Sequence, residues 1–304
     1  FVVLPALTFC LVLITAPQPS IALGLILVAA CPGGNISNFI THRARGNAAL
    51  SVSMTAFATV GAIVLTPLNI AFWGSLYPPT RAILQRTSID PVSVAITVGV
   101  MLVLPLCLGV LLNMRRPDLT ARLRTPLQYV SMGIFVAFVV LALAANWTLF
   151  LQFAGAVAVL VFLHNALALG AGFATASVMG LSDFDRRAVM IETGIQNSGL
   201  GLILIFGFFS GLGGMAVVAA FWGIWHAISG IALAGMMALN PVMGDQHRLQ
   251  LDFVTGAGFV GIAVALMGRS HPAGIIPAAI LFGMLYQGGA ELAFEMPNIS
   301  RDMI

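Results

Sequence analysis

Long apolar stretches, each near the length of a membrane-spanning helix, recur along the whole chain. A helix needs about 20 mainly apolar residues to cross the hydrocarbon core of a bilayer. Such stretches lie at about 1–16, 21–45, 47–75, 90–114, 124–146, 151–177, 188–209 and 212–239, and two more follow at about 251–268 and 272–290. This pattern predicts an all-α membrane protein, a helical bundle that spans the bilayer many times.

Two of these stretches contain polar and helix-breaking residues where a spanning helix should stay apolar. The first interruption runs from Pro32 to Asn38, and the second runs from Glu192 to Gly199. Glycine and proline release backbone N–H and C=O groups from the helix, and hydrocarbon offers those groups no partner. The interruptions lie about 160 residues apart. This spacing predicts two related halves, with paired discontinuous helices that form a transport site near the midplane.

Composition agrees with a membrane protein and gives no support for nucleic-acid binding. Hydrophobic residues make up 60% of the chain and charged residues 8%, whereas soluble domains carry about 25% charged residues. The thirteen basic residues are all arginines, and they lie in loops instead of forming one basic face. If each stretch before residue 239 spans the membrane once, alternate loops lie on the same side. One set of loops carries eight arginines, and the other set carries only Arg81 and Arg86. The positive-inside bias places the larger set in the cytoplasm, namely Arg43, Arg45, Arg115, Arg116, Arg122, Arg124, Arg186 and Arg187.

Glu192 is the one acidic residue inside a membrane segment before residue 239. A carboxylate within the bilayer is costly unless it is paired, protonated or bound to a cation, so it is a candidate for a functional site. An ion pair with Arg187 at the helix entrance is the alternative interpretation.

Hydroxyl and amide side chains are expected to lie near this carboxylate. Glu192 and Gln196 are four residues apart, as are Ser51 and Thr55, so each pair is expected on one helix face. With the polar residues of the first interruption, they offer oxygen ligands without sulfur or imidazole. That set suits a hard cation such as Na⁺. For Ser51 and Thr55, hydrogen bonds to their own backbone are the alternative.

Ordered motifs surround both interruptions. The stretch Cys31-Pro-Gly-Gly-Asn-Ile-Ser-Asn38 is followed by Ala44-Arg-Gly-Asn47 and Ala49-Leu-Ser-Val52, then by Glu192-Thr-Gly-Ile-Gln-Asn-Ser-Gly-Leu200 and Trp225-His-Ala-Ile-Ser-Gly230. These motifs resemble helices four, five, nine and ten of the bile acid:sodium symporter family. The resemblance covers residues 1–239 and implies two inverted five-helix repeats with two crossed discontinuous helices. It also implies that the chain begins in helix three, incomplete at the N-terminus.

The resemblance implies binding roles for particular residues. One sodium site would use Ser37, Asn38, Ser51, Thr55 and Glu192. A second would use Glu192 again, with Gln196 and the backbone carbonyl groups of Thr193 and Ile195; a further family glutamine would precede Phe1. The substrate would be an organic anion, such as a bile-acid-like, pantoate-like or keto-acid compound, in contact with Asn35, Asn197 and His226. Helix N-termini attract carboxylates, which independently favours an anion.

His164 and Asn165 also resemble a feature of the family's eighth helix. A hydrogen-bonded packing role is the alternative for His164, because it stands alone in an apolar helix.

The C-terminal residues follow a different pattern. Segments 244–253, 258–272 and 285–291 resemble the permease subunit of ATP-binding-cassette importers for nucleosides or simple sugars. We therefore expect a symporter domain over 1–239, a junction over 240–250 and a two-helix permease-like segment over 251–304, joined as a chimera. A natural additional helical hairpin is the alternative.

Together, these patterns predict a multi-pass protein of a bacterial inner membrane that couples Na⁺ to the transport of an organic anion. Its expected partners are the anion, Na⁺ and the lipid bilayer, with no other metal, cofactor or nucleic acid. The alternatives are the permease subunit of an ATP-dependent importer and a membrane subunit that does not transport. An enzyme is not expected, because no nucleophile, base and orienting group recur at a suitable spacing.

Overall fold

A computed structural model describes residues 1–34, 36–87 and 90–240, and within these ranges the regular structure is helical. The helices are α1 Val3–Thr15, α2 Pro19–Ala30, α3 Ile36–Arg43, α4 Ala48–Leu76, α5 Pro78–Thr87, α6 Pro91–Arg115, α7 Pro117–Ala145, α8 Trp147–Val178, α9 Asp183–Gly194, α10 Ser198–Phe208 and α11 Gly213–Asn240. The described part of the chain forms no extended strand, only an isolated antiparallel bridge between Gly33 and Gln196. The all-α prediction is confirmed.

Five of the described helices, α4, α6, α7, α8 and α11, are long and apolar enough to cross a membrane. The two interrupted stretches each form a pair of shorter helices, α2 with α3 and α9 with α10. Large apolar side chains lie exposed on the long helices, and α6 buries only Val94 and Val98. Exposed apolar surface of this extent fits contact with lipid, so the chain is a multi-spanning helical membrane protein.

The apolar pattern places most helices correctly but misses one helix and begins α7, α8 and α9 several residues too late. α7 begins at Pro117, not near residue 124, because proline suits the first helical position and Asp118 suits the first turn. The short helix α5 is polar, so an apolar pattern could not reveal it. The apolar stretches expected at 251–268 and 272–290 lie outside the described residues.

The half-helix α2 is buried on all sides, and this fixes the position of the first interruption. Every residue from Ile21 to Ala30 is buried. α11 packs closely against it at Gly24, where a Cβ atom would lie 2.9 Å from the Met215 Cα atom. Glycine therefore allows the two helices to approach backbone to backbone, as small residues commonly do in membrane bundles.

Asn47 ties the loop between α3 and α4 to the start of α9. Its side-chain oxygen accepts from Leu50 N at 3.0 Å and so caps α4, while its amide nitrogen donates to Asp185 Oδ1 at 2.7 Å. Its backbone N–H donates to Phe184 O at 3.0 Å. These contacts bring together two loops that the arginine distribution assigns to the same side of the membrane.

Asp90 caps α6 in the same way but without a tie to another helix. Its carboxylate accepts hydrogen bonds from the Ser93 hydroxyl at 2.7 Å and from the N–H groups of Val92 and Ser93. The hydrogen bond from the Ser93 hydroxyl group lowers the pKa of the Asp90 carboxyl group most, and those from the two N–H groups lower it further. Asp90 therefore serves as a control for a cap that acts only locally.

Replacing Asn47 by alanine should destabilise the protein more than replacing Asp90 by alanine. Each change removes an N-cap, but Asn47→Ala also removes the hydrogen bond to Asp185, worth about 1 kcal/mol more. Chemical unfolding in detergent, followed by intrinsic fluorescence, measures both. Equal losses of stability would show that the tie between the two loops contributes nothing.

Candidate functional site

The two interruptions cross and bond to each other through their backbones. Gly34 N donates to Ile195 O at 2.8 Å, and Asn197 N donates to Pro32 O at 2.9 Å. This reciprocal pair flanks the bridge between Gly33 and Gln196. Groups released from each broken helix thus satisfy groups released from the other, as a low-dielectric environment requires. The predicted pair of crossed discontinuous helices is confirmed.

Glu192 lies at the end of α9, beside this crossing, and is 8% exposed. Its Oε1 atom accepts from Thr55 Oγ1 at 2.7 Å. Its Oε2 atom accepts from the Ser37 hydroxyl and from Ser51 Oγ at 3.1 Å. A Cβ atom at Gly33 would overlap Glu192 Oε1, so only glycine leaves room for the carboxylate there. Residues from α3, α4 and α9 therefore meet at one carboxylate.

Asn38 joins the same cluster through its side-chain oxygen. Asn38 Oδ1 accepts from Ser51 Oγ at 2.8 Å and lies 3.2 Å from Thr55 Oγ1. Thr55 Oγ1 also lies 3.0 Å from Ser51 O, so the expected bond to its own helix is present alongside the contact with Glu192. Oxygen atoms of five side chains thus converge, and three hydroxyl protons serve more acceptors than they can satisfy at once.

Glu192 has no ion-pair partner among the described residues. Arg187 is directed elsewhere: its Nη1 atom donates to Ala44 O at 3.1 Å. The described ranges contain one ion pair, between Arg186 and Asp183 at 3.2 Å. The alternative of a Glu192–Arg187 pair is therefore wrong. A buried carboxylate surrounded by neutral oxygen atoms is a suitable environment for a small cation.

Gln196 does not share a helix face with Glu192, contrary to the sequence expectation. α9 ends at Gly194, so Gln196 lies in the extended segment beyond it. Its Nε2 atom donates to Thr193 O at 2.7 Å. The carbonyl group of Ile195 accepts from Gly34 N. The expected carbonyl ligands of a second sodium site thus lie at the crossing, and each already accepts one hydrogen bond.

Two of the residues expected to contact substrate, Asn197 and His226, belong to different helical elements. Asn197 caps α10, since its Oδ1 atom accepts from Leu200 N at 3.0 Å. His226 lies on α11, 5% exposed, with its ring 6.4 Å from that of Trp222. No hydrogen bond joins His226 to the Glu192 cluster in the described structure. Asn35 lies outside the described residues.

His164 and Asn165 both take part in buried hydrogen bonds. His164 Nε2 lies 2.7 Å from Thr8 Oγ1 of α1, which supports the packing interpretation. Asn165 Nδ2 donates to Gly194 O at 2.8 Å, at the end of α9. Sequence reasoning missed this second contact, because the two partners are separated by a loop and no spacing rule connects them.

Comparison with known proteins finds one family model and several similar transporters. The model of the Sodium Bile acid symporter family matches residues 1–153. A sodium-dependent transporter of Bacillus subtilis, YocS, whose function is uncharacterised, is 33% identical over 234 residues, which are 77% of this chain and 70% of that protein. The chain belongs to the sodium bile acid symporter family.

Two further relatives come from eukaryotes. The probable sodium/metabolite cotransporter BASS1, chloroplastic, of Oryza sativa subsp. japonica is 32% identical over 72% of the chain and 52% of that protein. The sodium-dependent organic anion transporter of Bos taurus is 26% identical over 73% of the chain and 62% of that protein. The chain thus spans about half the length of the rice relative.

These relatives give no support to the expected resemblance of the C-terminal part to an importer permease. They are sodium-dependent transporters or cotransporters by name. The expected junction at 240–250 and two-helix segment at 251–304 lie outside the described residues, apart from Asn240 at the end of α11.

Introducing a methyl group at Gly33 should disrupt the carboxylate cluster. Because the new Cβ atom of Gly33→Ala would overlap Glu192 Oε1, we expect a loss of about 1–3 kcal/mol in the free energy of unfolding. Gly170→Ala in α8 is the control, since its Cβ atom would meet nothing within 4 Å. Chemical unfolding in detergent compares the two, and a wild-type value for Gly33→Ala would contradict the close approach.

Proposed function

We propose that this protein is a sodium-coupled symporter that carries an organic anion across a bacterial inner membrane. The observation that carries the proposal is the environment of Glu192. The carboxylate is buried at the crossing of two discontinuous helices, accepts three hydroxyl hydrogen bonds and pairs with no arginine of the described residues. A charge placed there needs a mobile cation to balance it.

The chemistry of the cluster favours Na⁺ over other metal ions. Its donors are hydroxyl, amide and carboxylate oxygen atoms, which suit hard cations. The described residues contain no group of three or more His, Cys, Asp and Glu side chains that could hold a metal ion. One carboxylate balances one positive charge, so a monovalent ion leaves the site neutral, whereas a divalent ion leaves a buried positive charge. The proposed ligands of this first site are Ser37, Asn38, Ser51, Thr55 and Glu192.

A second Na⁺ would share Glu192 with the first. Its proposed ligands are Glu192, Gln196 and the carbonyl oxygen atoms of Thr193 and Ile195. The Gln196 amide group would turn so that its oxygen atom, and not its nitrogen atom, faces the ion, releasing the hydrogen bond to Thr193 O. Binding of the ion would replace that hydrogen bond with a stronger charge–dipole contact.

The substrate would lie near the N-termini of the second half-helices. α10 begins at Ser198 after the cap Asn197, and α3 begins at Ile36. Free N–H groups and the helix dipole at such termini favour carboxylate or other anionic groups. Asn35, Asn197 and His226 remain the proposed contacts. The bovine relative's name, a sodium-dependent organic anion transporter, supports the same class of substrate.

Coupling follows if Na⁺ and the anion stabilise the same crossed arrangement. Na⁺ would hold α3, α4 and α9 together through the Glu192 cluster. The half-helix N-termini that attract the anion belong to the same two crossed elements. Each ligand would then bind more tightly in the presence of the other, as thermodynamic linkage requires.

Removing the charge or one hydroxyl group of the cluster should weaken Na⁺ binding to different extents. Glu192→Gln should lower the affinity for Na⁺ by at least about a hundredfold, because it removes the buried charge. Thr55→Val should lower it by about tenfold, because it removes one oxygen atom. Binding of radiolabelled Na⁺ to the purified full chain measures both, and anion uptake into proteoliposomes measures coupling.

Two controls separate the cluster from its surroundings. Thr59→Val removes a hydroxyl group one turn along α4 that donates to Thr55 O of its own helix at 2.7 Å. Asp183→Asn removes an exposed carboxylate that pairs with Arg186. Both should bind Na⁺ like the wild type. Anion uptake that ignores Na⁺, or that survives Glu192→Gln unchanged, refutes the symporter, and uptake that requires ATP instead would indicate an importer permease.

A further inference from the structure

The end of α2 loses a helical hydrogen bond because the chain breaks after it. In a continuous helix, Ala30 O would accept from the N–H group of Gly34, four residues later. Gly34 N instead donates to Ile195 O in the other interruption. The Thr66 hydroxyl group of α4 replaces the Gly34 N–H group as the donor, since Thr66 Oγ1 donates to Ala30 O at 2.7 Å. Thr66 is fully buried.

The end of α9 shows the same substitution. Gly194 O would accept from Ser198 N in a continuous helix, but Ser198 N donates to Gln196 O at 2.9 Å. Asn165 of α8 supplies the missing donor, because its Nδ2 atom donates to Gly194 O at 2.8 Å. Asn165 is 2% exposed. Ala30 and Gly194 are each the last residue of a first half-helix, so the two breaks are completed by equivalent contacts.

We infer that Thr66 and Asn165 are positioning residues that hold the two unwound segments in the geometry needed to bind Na⁺. Neither residue belongs to the oxygen cluster, and each acts through a main-chain carbonyl group at the end of a half-helix. The inference rests on the proposed function, since it concerns the same sodium sites.

The position of Gly194 explains why Asn165 should affect the ion. The Gly194 peptide groups join Thr193 to Ile195, whose carbonyl groups are proposed ligands of the second Na⁺. Glu192, shared by both sites, lies two residues earlier at the end of α9. Fixing Gly194 O therefore limits rotation of the adjacent peptide groups and sets the direction of both carbonyl groups. Without the donor, a buried carbonyl group would be left unpaired, and the segment would rearrange to satisfy it.

Thr66 acts on the first interruption in the same way, by fixing a main-chain carbonyl group. Ala30 O lies at the start of the segment that includes Pro32 and Gly33, and Gly33 passes directly against Glu192 Oε1. A shift of that segment would change the space around the carboxylate. The two donors are on different long helices, α4 and α8, so each interruption is held by its own helix.

The test measures the Na⁺ concentration for half-saturation, using radiolabelled Na⁺ on the purified full chain. Asn165→Leu and Thr66→Val keep side-chain volume while removing the donor, and each should raise that concentration by about tenfold. Thr66→Ser retains a hydroxyl group and should restore a value near that of the wild type. A purely structural role would lower thermal stability without changing half-saturation of the folded protein.

Matched controls are available for both changes. Asn69→Leu removes a buried amide group whose Nδ2 atom donates to Leu65 O of its own helix. Thr15→Val removes a hydroxyl group that donates to Leu11 O of its own helix. Both variants should leave half-saturation unchanged, even if they lower stability.

The outcomes separate this inference from the proposed function. The wild type is measured first, and failure to bind Na⁺ would refute the proposed function itself. If the wild type binds Na⁺, half-saturation within twofold of its value in both Asn165→Leu and Thr66→Val overturns the positioning role. Should Asn165→Leu not fold, the comparison of Thr66→Val with Thr66→Ser decides.

Discussion

The structure depends on two backbone hydrogen bonds exchanged between the interrupted helices, from Gly34 N to Ile195 O and from Asn197 N to Pro32 O. Neither interruption could exist alone in a membrane, because its released N–H and C=O groups would have no partner. Crossing solves the problem for both at once. The same crossing brings the end of α9 against the start of α3, so the constraint that satisfies the backbone also delivers Glu192 to Ser37.

Glycine at position 33 links this backbone arrangement to the chemistry of the cluster. The carboxylate of Glu192 occupies the space that any side chain at position 33 would need. The hydroxyl groups of Ser51 and Thr55 then approach from α4, a helix whose position depends on α2 and α3. The site is therefore assembled from segments that are far apart in sequence and meet only because two helices are broken.

The sequence predicted the parts of this arrangement that depend on local composition. The two interruptions, the isolated carboxylate and the pairing of Ser51 with Thr55 follow from polar residues inside apolar stretches. The shared helix face of Glu192 and Gln196 was predicted wrongly, because a four-residue spacing implies a shared face only while the helix continues, and α9 ends at Gly194. The donors to Ala30 O and Gly194 O could not be predicted, since they are set by how α4 and α8 pack against the breaks.

The supporting hydrogen bonds also bear on how the proposed symporter would release its ion. A site held together only by Na⁺ would fall apart without it, and the released carbonyl groups would then lack partners in the bilayer. Here Thr66, Asn165 and Gln196 supply donors to Ala30 O, Gly194 O and Thr193 O from the protein itself. If the protein binds Na⁺ as proposed, the broken helices can stay crossed when the ion leaves, and the free energy of ion binding can go into coupling with the substrate instead of into refolding the site.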